Sequence, residues 1–494
     1  VTKGEGIPVD RRYVGTLHAL CYQALGRPTV AESQIKEFNK MYPQFALGQD
    51  ARNASDTDDN AAEVQSGGTI GDELFGRLQL LRAKLVDPKL WPESVVGFAK
   101  VWEEWKYVAD CIDFTDMIDH ALRDVAKAPG EPDIGVFDES QDFVPMQLAL
   151  IRKWSKEMRY IVLAGDDDQC VYRFSGASPD AFLNPPIPDS DKVKLSQSWR
   201  IPRAVHELSQ RWVSQLSSRE PKEYRPRTEE GEITRLKVGA NFKHPEEYLD
   251  EMLMHVDSGK SVMFIASCSY MLQPFIALLR SEGIPFHNPY RRRRGDWNPL
   301  HGSGISGAQR LIDYLQINNR LWTGTELYNW LSCCKQANVM PRGCANELKL
   351  LNGHDSTIEM EDLDNFFLQE REQDPNDPIP DWLFDGANIP WLKKHLLKAK
   401  EHTFDYPSTI LEKRGIDALK LEPKIIVGTI HSVKGGEADV CYLVPDLSMN
   451  GMEEYMTPGE ARDSVIRLMY VAMTRTRETL NICAPVSNAS VQIM

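Results

Sequence analysis

Val136-Phe137-Asp138-Glu139-Ser140-Gln141-Asp142, followed after one helical stretch by Tyr160-Ile161-Val162-Leu163-Ala164-Gly165-Asp166-Asp167-Asp168-Gln169-Cys170-Val171-Tyr172-Arg173-Phe174, decides the reading of this chain. Each half runs apolar residues straight into carboxylates. That is the pattern of a buried parallel strand whose carboxyl end delivers acids to a crevice where ligands bind. Adjacent acids divide a task. One carboxylate, Asp138, suits a hydrated Mg²⁺ bridging phosphates, and the other, Glu139, suits a base that orients and deprotonates attacking water.

Working outward, apolar positions Phe114, Met117, Ile118, Ala121, Leu122 and Val125 fall on one helical face just before the first strand. Phe98, Val101, Trp102 and Trp105 do the same upstream, and their tryptophans read as core. Residues 49–68 are rich in Asp, Asn, Ala, Ser and Gly with almost no large apolar side chain, which predicts a loop. Later strands are expected at Ile233–Val238, Val262–Ala266, Lys424–Ile430, Val440–Val444 and Leu480–Cys483.

At this point the chain resembles the superfamily 1 helicases of the UvrD/Rep/PcrA family. Gly15-Thr16-Leu17-His18 matches the segment that holds single-stranded DNA, and Asp138-Glu139-Ser140-Gln141-Asp142 matches the Walker B box. Gly165 to Ala177 resembles the third motif, where Gln169 senses the γ-phosphate and Tyr172 and Phe174 stack on bases. Phe174 stands where the family usually has Trp, which keeps a ring worth about 1 to 3 kcal/mol of stacking per base. Ser175 stands where an arginine is common.

Leu195 to Pro202 resembles the fourth motif, which implies Arg200 at the γ-phosphate and Trp199, in place of Tyr, on the adenine face. Val427 to Glu437 resembles the fifth, which implies DNA contacts for Thr429 and His431, and nucleotide contacts for Gly435 and Glu437. Arg467 to Arg477 resembles the sixth, with Arg475 as an arginine finger. A planar guanidinium on the transferring phosphoryl group is worth about 10³ to 10⁵ in rate.

The resemblance implies an α/β fold of two RecA-like parallel-sheet domains, each with an inserted helical subdomain. The expected layout is 1–26 with 111–192 for the first domain and 27–110 for its insertion. The second domain takes 193–290 with 412–494, and its insertion 291–411. It further implies ATP and Mg²⁺ as cofactors, with Asp138 as the metal residue, and 3′ to 5′ translocation on single-stranded DNA that unwinds duplex. The expected partners are single-stranded DNA, duplex junctions and accessory replication or repair proteins. A monomer or weak oligomer in the cytoplasm, associated with the nucleoid, is expected.

No glycine-rich phosphate loop precedes Asp138. Gly259-Lys260-Ser261 lacks the first glycine, and an apolar strand follows it, whereas a phosphate loop follows a strand and opens a helix. The expectation is therefore a chain shortened at its amino end, with severely reduced ATP affinity, inactive without that loop, and with a first sheet lacking a central strand. Two alternatives stay open: a non-hydrolysing DNA-binding or remodelling protein, and another phosphate-loop enzyme such as a nucleotide kinase. The second RecA-like block and the Gln169, Tyr172 and Phe174 group speak against the kinase.

Composition narrows the class. A chain of 494 residues predicts about three or four domains. No apolar run approaches the roughly 20 residues of a membrane span, and no signal-peptide pattern is seen. Nine cysteines without a Cys-x-x-Cys pair read as reduced thiols. A formal charge of −15 argues against indiscriminate coating of DNA but allows a narrow channel. The dense basic run Arg291-Arg292-Arg293-Arg294 reads equally as a contact to duplex phosphates or as a solvated loop, and the acidic stretch 361–385 as a surface facing away from DNA.

Overall fold

The computed structural model describes residues 13–48, 69–179, 183–292, 294–300, 305–368, 373, 374, 376, 379, 383 and 388–493. The expected 49–68 loop, Arg293 and much of the 361–385 acidic stretch lie outside the described residues. Helix α1 (Leu17–Ala24) starts at Thr16, whose Oγ1 accepts the Ala19 N–H at 3.2 Å. Strand β1 (Thr29–Val30) pairs in parallel with β2 (Cys111–Ile112). Between these two strands the chain forms α2 (Ile35–Met41), α3 (Ile70–Ala83) and α4 (Glu93–Val108), whose apolar faces share one cluster. Phe38 stands edge-on to Trp102 at 4.9 Å and to Trp105 at 5.2 Å, and both indoles are buried. They are core residues, as the periodicity reads.

Helix α5 (Phe114–Asp124) begins with a reciprocal cap between Asp113 and Asp116. The same two acids take Arg82 from α3 and Lys106 from α4, and Asp113 also accepts the Trp102 indole at 2.9 Å. These charges are buried, so the pairing and the extra hydrogen bonds offset their desolvation. The helices between β1 and β2 are thereby bolted to α5.

Strands β3 (Ile134–Phe137) and β4 (Tyr160–Leu163) run parallel, with Val136 opposite Val162, and α6 (Pro145–Ser155) crosses between them. The expectation that these strands are buried is corrected. Ile134, Val136, Tyr160, Ile161 and Val162 are exposed, and no third strand joins them among the described residues. The reason is that α6 turns Met146, Leu150 and Trp154 onto Cys21, Met117, Ile118 and Ala121 of α1 and α5, leaving the strand faces uncovered.

Helix α7 (Arg203–Val213) precedes the second sheet. Its strands are β5 (Glu232–Arg235), β6 (Val262–Ala266), β7 (Phe286–His287), β8 (Ile425–Thr429), β9 (Ala438–Leu443) and β10 (Thr476–Ile482). All are parallel, in the order β5-β10-β9-β6-β8-β7. Every residue of β6 and β8 is buried, as continuous apolar runs in a doubly covered sheet require. Gly259-Lys260-Ser261 joins helix α8 (Glu246–Asp257) to β6, so it sits on a helix-to-strand turn. Lys260 there pairs with Glu478 at 2.9 Å.

Between β7 and β8 lie α9 (Gly307–Leu315), α10 (Gly324–Leu331) and α11 (Lys398–Arg414), among shorter turns of helix. Trp297, Trp322 and Trp330 from this region belong to one apolar cluster with Phe264, Val427 and Tyr442 of the sheet. The other sheet face carries α7 and α12 (Glu460–Met473), where the Trp212 indole donates to the Ile466 carbonyl at 2.9 Å. Cys170, Val171 and Tyr172, which follow β4, are buried in that same cluster. No helix among the described residues is long and apolar enough to cross a membrane. None of the nine cysteines is in a disulfide.

Candidate functional site

The carboxyl end of β3 carries Asp138 and Glu139, both exposed. Glu139 adopts φ +50, a left-handed conformation that costs a non-glycine residue about 1 to 2 kcal/mol. The surroundings hold it there. Ser140 N–H donates to the Ala164 carbonyl at 2.9 Å, and Ser140 Oγ donates to the Phe137 carbonyl at 2.8 Å. Gln141, fully buried, donates its amide to Glu139 and accepts the Asp166 N–H at 3.0 Å. One buried amide thus ties the turn after β3 to the turn after β4.

From the turn after β4, Gln169 Nε2 donates to Asp166 Oδ2 at 2.8 Å, and Gln169 Oε1 accepts Arg475 Nη2 at 3.3 Å across the gap between the two sheets. Arg475 is 1% exposed. Its other donors go to the Val471 and Gly436 carbonyls at 3.0 and 3.2 Å and to Thr474 Oγ1, and no carboxylate pairs with it among the described residues. Burial, and then the nearby Arg200 charge, push its pKa down to about 10, so it stays protonated at neutral pH. The Glu139 carboxylate acts on it only from a distance, and a buried cation with no carboxylate in direct contact favours an arriving anion.

Arg200 reaches the same region but is engaged by Glu437 at 2.7 Å, which Arg477 also contacts at 2.9 Å. Burial raises the Glu437 pKa, and the two guanidiniums outweigh it, leaving the carboxyl below its ordinary value. Trp199 is 84% exposed, so its ring is open to a planar ligand. Gly435 has φ +81, and at Gly436 a Cβ would stand 2.3 Å from the Tyr290 ring. That close approach seats the fifth-motif loop against Tyr290.

A second set of side chains gathers around His431. Tyr172 Oη donates to the His431 carbonyl at 3.2 Å, and Phe174 meets the His431 ring edge-on at 5.2 Å. Tyr172 and His431 are buried and Phe174 is half-buried, so in this arrangement neither Tyr172 nor His431 offers a free ring face to a base. Burial first, then the charges of Lys434 and Arg291, push the His431 pKa down to about 4, against a hydrogen bond with the Val171 backbone. Thr429 is buried, and its Oγ1 accepts the Ser432 N–H. Thr16 and His18 stand apart on α1: Thr16 caps the helix, and His18 packs edge-on against Phe114 at 6.1 Å, where burial lowers its pKa.

Lys434 links the two sets, and sequence reasoning gave it no role. Its ammonium hydrogen-bonds Asp142, lies 3.8 Å from Glu139, and sits 4.9 Å from the centre of the Tyr172 ring. A lone lysine beside two glycines just past a fully buried strand was the available signal. Also unread were Arg219 and Lys222, which fill the cluster formed by Asp166, Asp167 and Asp168. Those three carboxylates lie close enough to share a metal ion, but Lys222 contacts all three and Arg219 Nε donates to Asp168 at 3.1 Å. The positive charge that such a cluster attracts is already supplied by the chain.

Residues 5–186 match the family model described as the UvrD/REP helicase N-terminal domain. The chain is similar to the ATP-dependent DNA helicase UvrD2 of Mycobacterium tuberculosis, 27% identical over 173 residues, covering 30% of this chain and 25% of that protein. It is also similar to the probable DNA helicase II homolog of Mycoplasma capricolum, 24% identical over 160 residues, covering 31% and 22%. With the F-box DNA helicase protein 1 of Schizosaccharomyces pombe it shares 40% identity over 70 residues, covering 14% and 8%. The matched part spans a quarter or less of the length of these relatives.

Proposed function

Since this chain belongs to the UvrD-like superfamily 1 helicases, we propose that it carries the base, the γ-phosphate contacts and the strand contacts of a motor that hydrolyses ATP in the cleft between its two sheets and thereby moves 3′ to 5′ along single-stranded DNA, opening duplex ahead of it. The observation that carries this reading is Arg475. It is a buried guanidinium with no carboxylate partner among the described residues, hydrogen-bonded to Gln169 of the other sheet's loop. That is how a phosphate contact assembled by closure of two bodies should look.

In the proposed chemistry Glu139 takes the proton of the attacking water, while Gln169, Arg475 and Arg200 meet the γ-phosphate oxygens as charge builds on them. Arg200 would exchange its Glu437 contact for phosphate, releasing Glu437 to the ribose, and Trp199 would cover the adenine. Asp138 offers a solvent-facing hard-oxygen ligand beside Glu139, which fits Mg²⁺. A bound Mg²⁺ there would neutralise phosphate charge. The strand would run past Thr16, His18, Tyr172 and Phe174 of the first block and Thr429 and His431 of the second. We assign the blocks as 1–26 with 111–192, and 193–290 with 412–494, with helical insertions at 27–110 and 291–411. The helices between β1 and β2 and those between β7 and β8 support those insertions.

Glu139→Gln tests the assignment. It keeps the size of the side chain and removes the base, so ATP hydrolysis should fall by about 10² to 10⁴-fold while binding of a fluorescent single-stranded oligonucleotide persists. Loss of oligonucleotide binding in that variant, or unimpaired hydrolysis, rejects Glu139 as the base.

A further inference from the structure

The acidic triplet after β4 is held by a segment that the proposed chemistry does not use. Ser217 N and Oγ donate to Asp463 on α12 at 3.1 and 2.6 Å, and Arg467 of the same helix donates to the Ser218 and Asp167 carbonyls at 3.1 and 3.0 Å. This pins residues 217–222 beside the loop that bears Gln169. From there Glu220 N–H donates to Asp167 at 2.7 Å, Arg219 grips Asp168, and Lys222 donates to Asp166. Asp167 and Asp168 are almost fully buried, and the Lys222 side chain is 19% exposed.

We propose that Lys222 is a positioning residue for the proposed phosphate contacts, acting through Asp166 to fix the orientation of the Gln169 amide. The inference rests on the reading of Gln169 and Arg475 as phosphate contacts. An ionised carboxylate only accepts hydrogen bonds, whereas a side-chain amide has a donating and an accepting end. Asp166 takes the Lys222 ammonium on Oδ1 and the Gln169 amide N–H on Oδ2. The donating end of Gln169 is thereby committed, and its carbonyl oxygen is left facing Arg475. With the amide turned over, two donors would face each other across a 3.3 Å contact. Asp166 also donates its backbone N–H to Gln141, whose amide holds Glu139, so the same anchor reaches the proposed base. The charge balance agrees: burial opposes the Lys222 charge, yet Asp166, Asp168 and Asp167 hold its pKa above the ordinary value.

The test compares Lys222→Met, Lys222→Arg, Asp166→Asn and the Lys222→Met/Asp166→Asn double variant in the full protein, assayed for ATP hydrolysis with a single-stranded oligonucleotide. Displacing a group that meets the reacting phosphate predicts that Lys222→Met lowers kcat between about ten- and a hundred-fold. KM for ATP and Kd for the oligonucleotide should stay within about threefold, because the ground-state contacts remain. Lys222→Arg should recover most of the rate, and the double variant should be no worse than Asp166→Asn. Equal losses in the Met and Arg variants, a change confined to KM, or additive losses in the double variant overturn the proposal. Hydrogen exchange of the 164–170 backbone, measured without nucleotide, gives a second reading. Faster exchange in Lys222→Met is expected, and unchanged exchange overturns the anchor whether or not the protein hydrolyses ATP. A wild-type protein with no oligonucleotide-dependent hydrolysis defeats the motor reading and the catalytic half of this proposal, while exchange still decides the anchor.

Discussion

Acidification should protonate His431 late. The ring is 8% exposed, and burial together with Lys434 and Arg291 takes its pKa from 6.5 to about 4. A gap of about two to three pH units, at about 1.4 kcal/mol per unit, is worth on the order of 3 kcal/mol. The sign follows from which state binds the proton first. The unfolded chain protonates near 6.5 and the folded one only near 4, so this contribution to stability is whole above about pH 6.5 and is lost as pH falls from there to about 4. Because a chain of several cores need not unfold in one step, the assay should read the residue itself. The histidine Cε1–H resonances, with that of His431 assigned by its disappearance in His431→Asn, should show His431 unprotonated down to about pH 5. The advantage in melting temperature of wild type over His431→Asn should shrink over the same window. A His431 resonance that titrates near pH 6.5 would refute the packing of this ring between Tyr172, Phe174 and Lys434.

Two further outcomes follow from the geometry around that ring. Phe174→Ala should reduce DNA-stimulated hydrolysis more than basal hydrolysis, by about 1 to 3 kcal/mol if the ring stacks on a base; steady-state rates with and without oligonucleotide measure it, and equal losses would make Phe174 only a packing partner of His431. Lys434→Met leaves Asp142 and Glu139 without their shared cation, and because both side chains are partly solvated the cost should fall near or below the lower end of the about 3 to 5 kcal/mol seen for broken buried pairs. It should shrink the ratio of stimulated to basal hydrolysis, and an unchanged ratio would sink the idea that Lys434 couples the two side-chain sets.

What the sequence displays and what it hides differ in range. The runs Val262–Ala266 and Lys424–Ile430 read as strands because a doubly covered parallel strand is built largely of apolar residues, and the structure buries every residue of Val262–Ala266 and of Ile425–Thr429. The Met117, Ile118 and Ala121 stripe of α5 is legible for the same local reason. Strands of two residues, β1, β2 and β7, leave no periodicity to read. The exposure of β3 and β4 was not legible, because composition records that a strand can be covered and not which layer covers it. In the site, the acids announce themselves by following apolar runs. Lys222 lies in Arg219-Glu220-Pro221-Lys222, a stretch that looks solvated until Asp166, 56 residues earlier in the chain, is folded against it.

The contacts between the two sheets also constrain how the proposed nucleotide and strand sites can influence each other. Arg475 with Gln169, Lys434 with Asp142, and Tyr172 with the His431 carbonyl all cross the same gap, over sequence separations of 306, 292 and 259 residues. Lys434 and His431 lie on one short turn after β8, and Tyr172 lies three residues beyond Gln169. A rigid-body shift that opens the Arg475 side by an ångström or two must therefore strain the other two contacts, since packed interfaces switch between discrete arrangements more readily than they stretch. In the structure the Tyr172 and His431 faces are covered by each other and by their neighbours. A base stacking there, as the proposed function has it, calls for such a shift, and the same shift would move Lys434 relative to Glu139. Strand engagement and the electrostatic setting of the proposed base are then two readings of one displacement, and they need no separate signalling path.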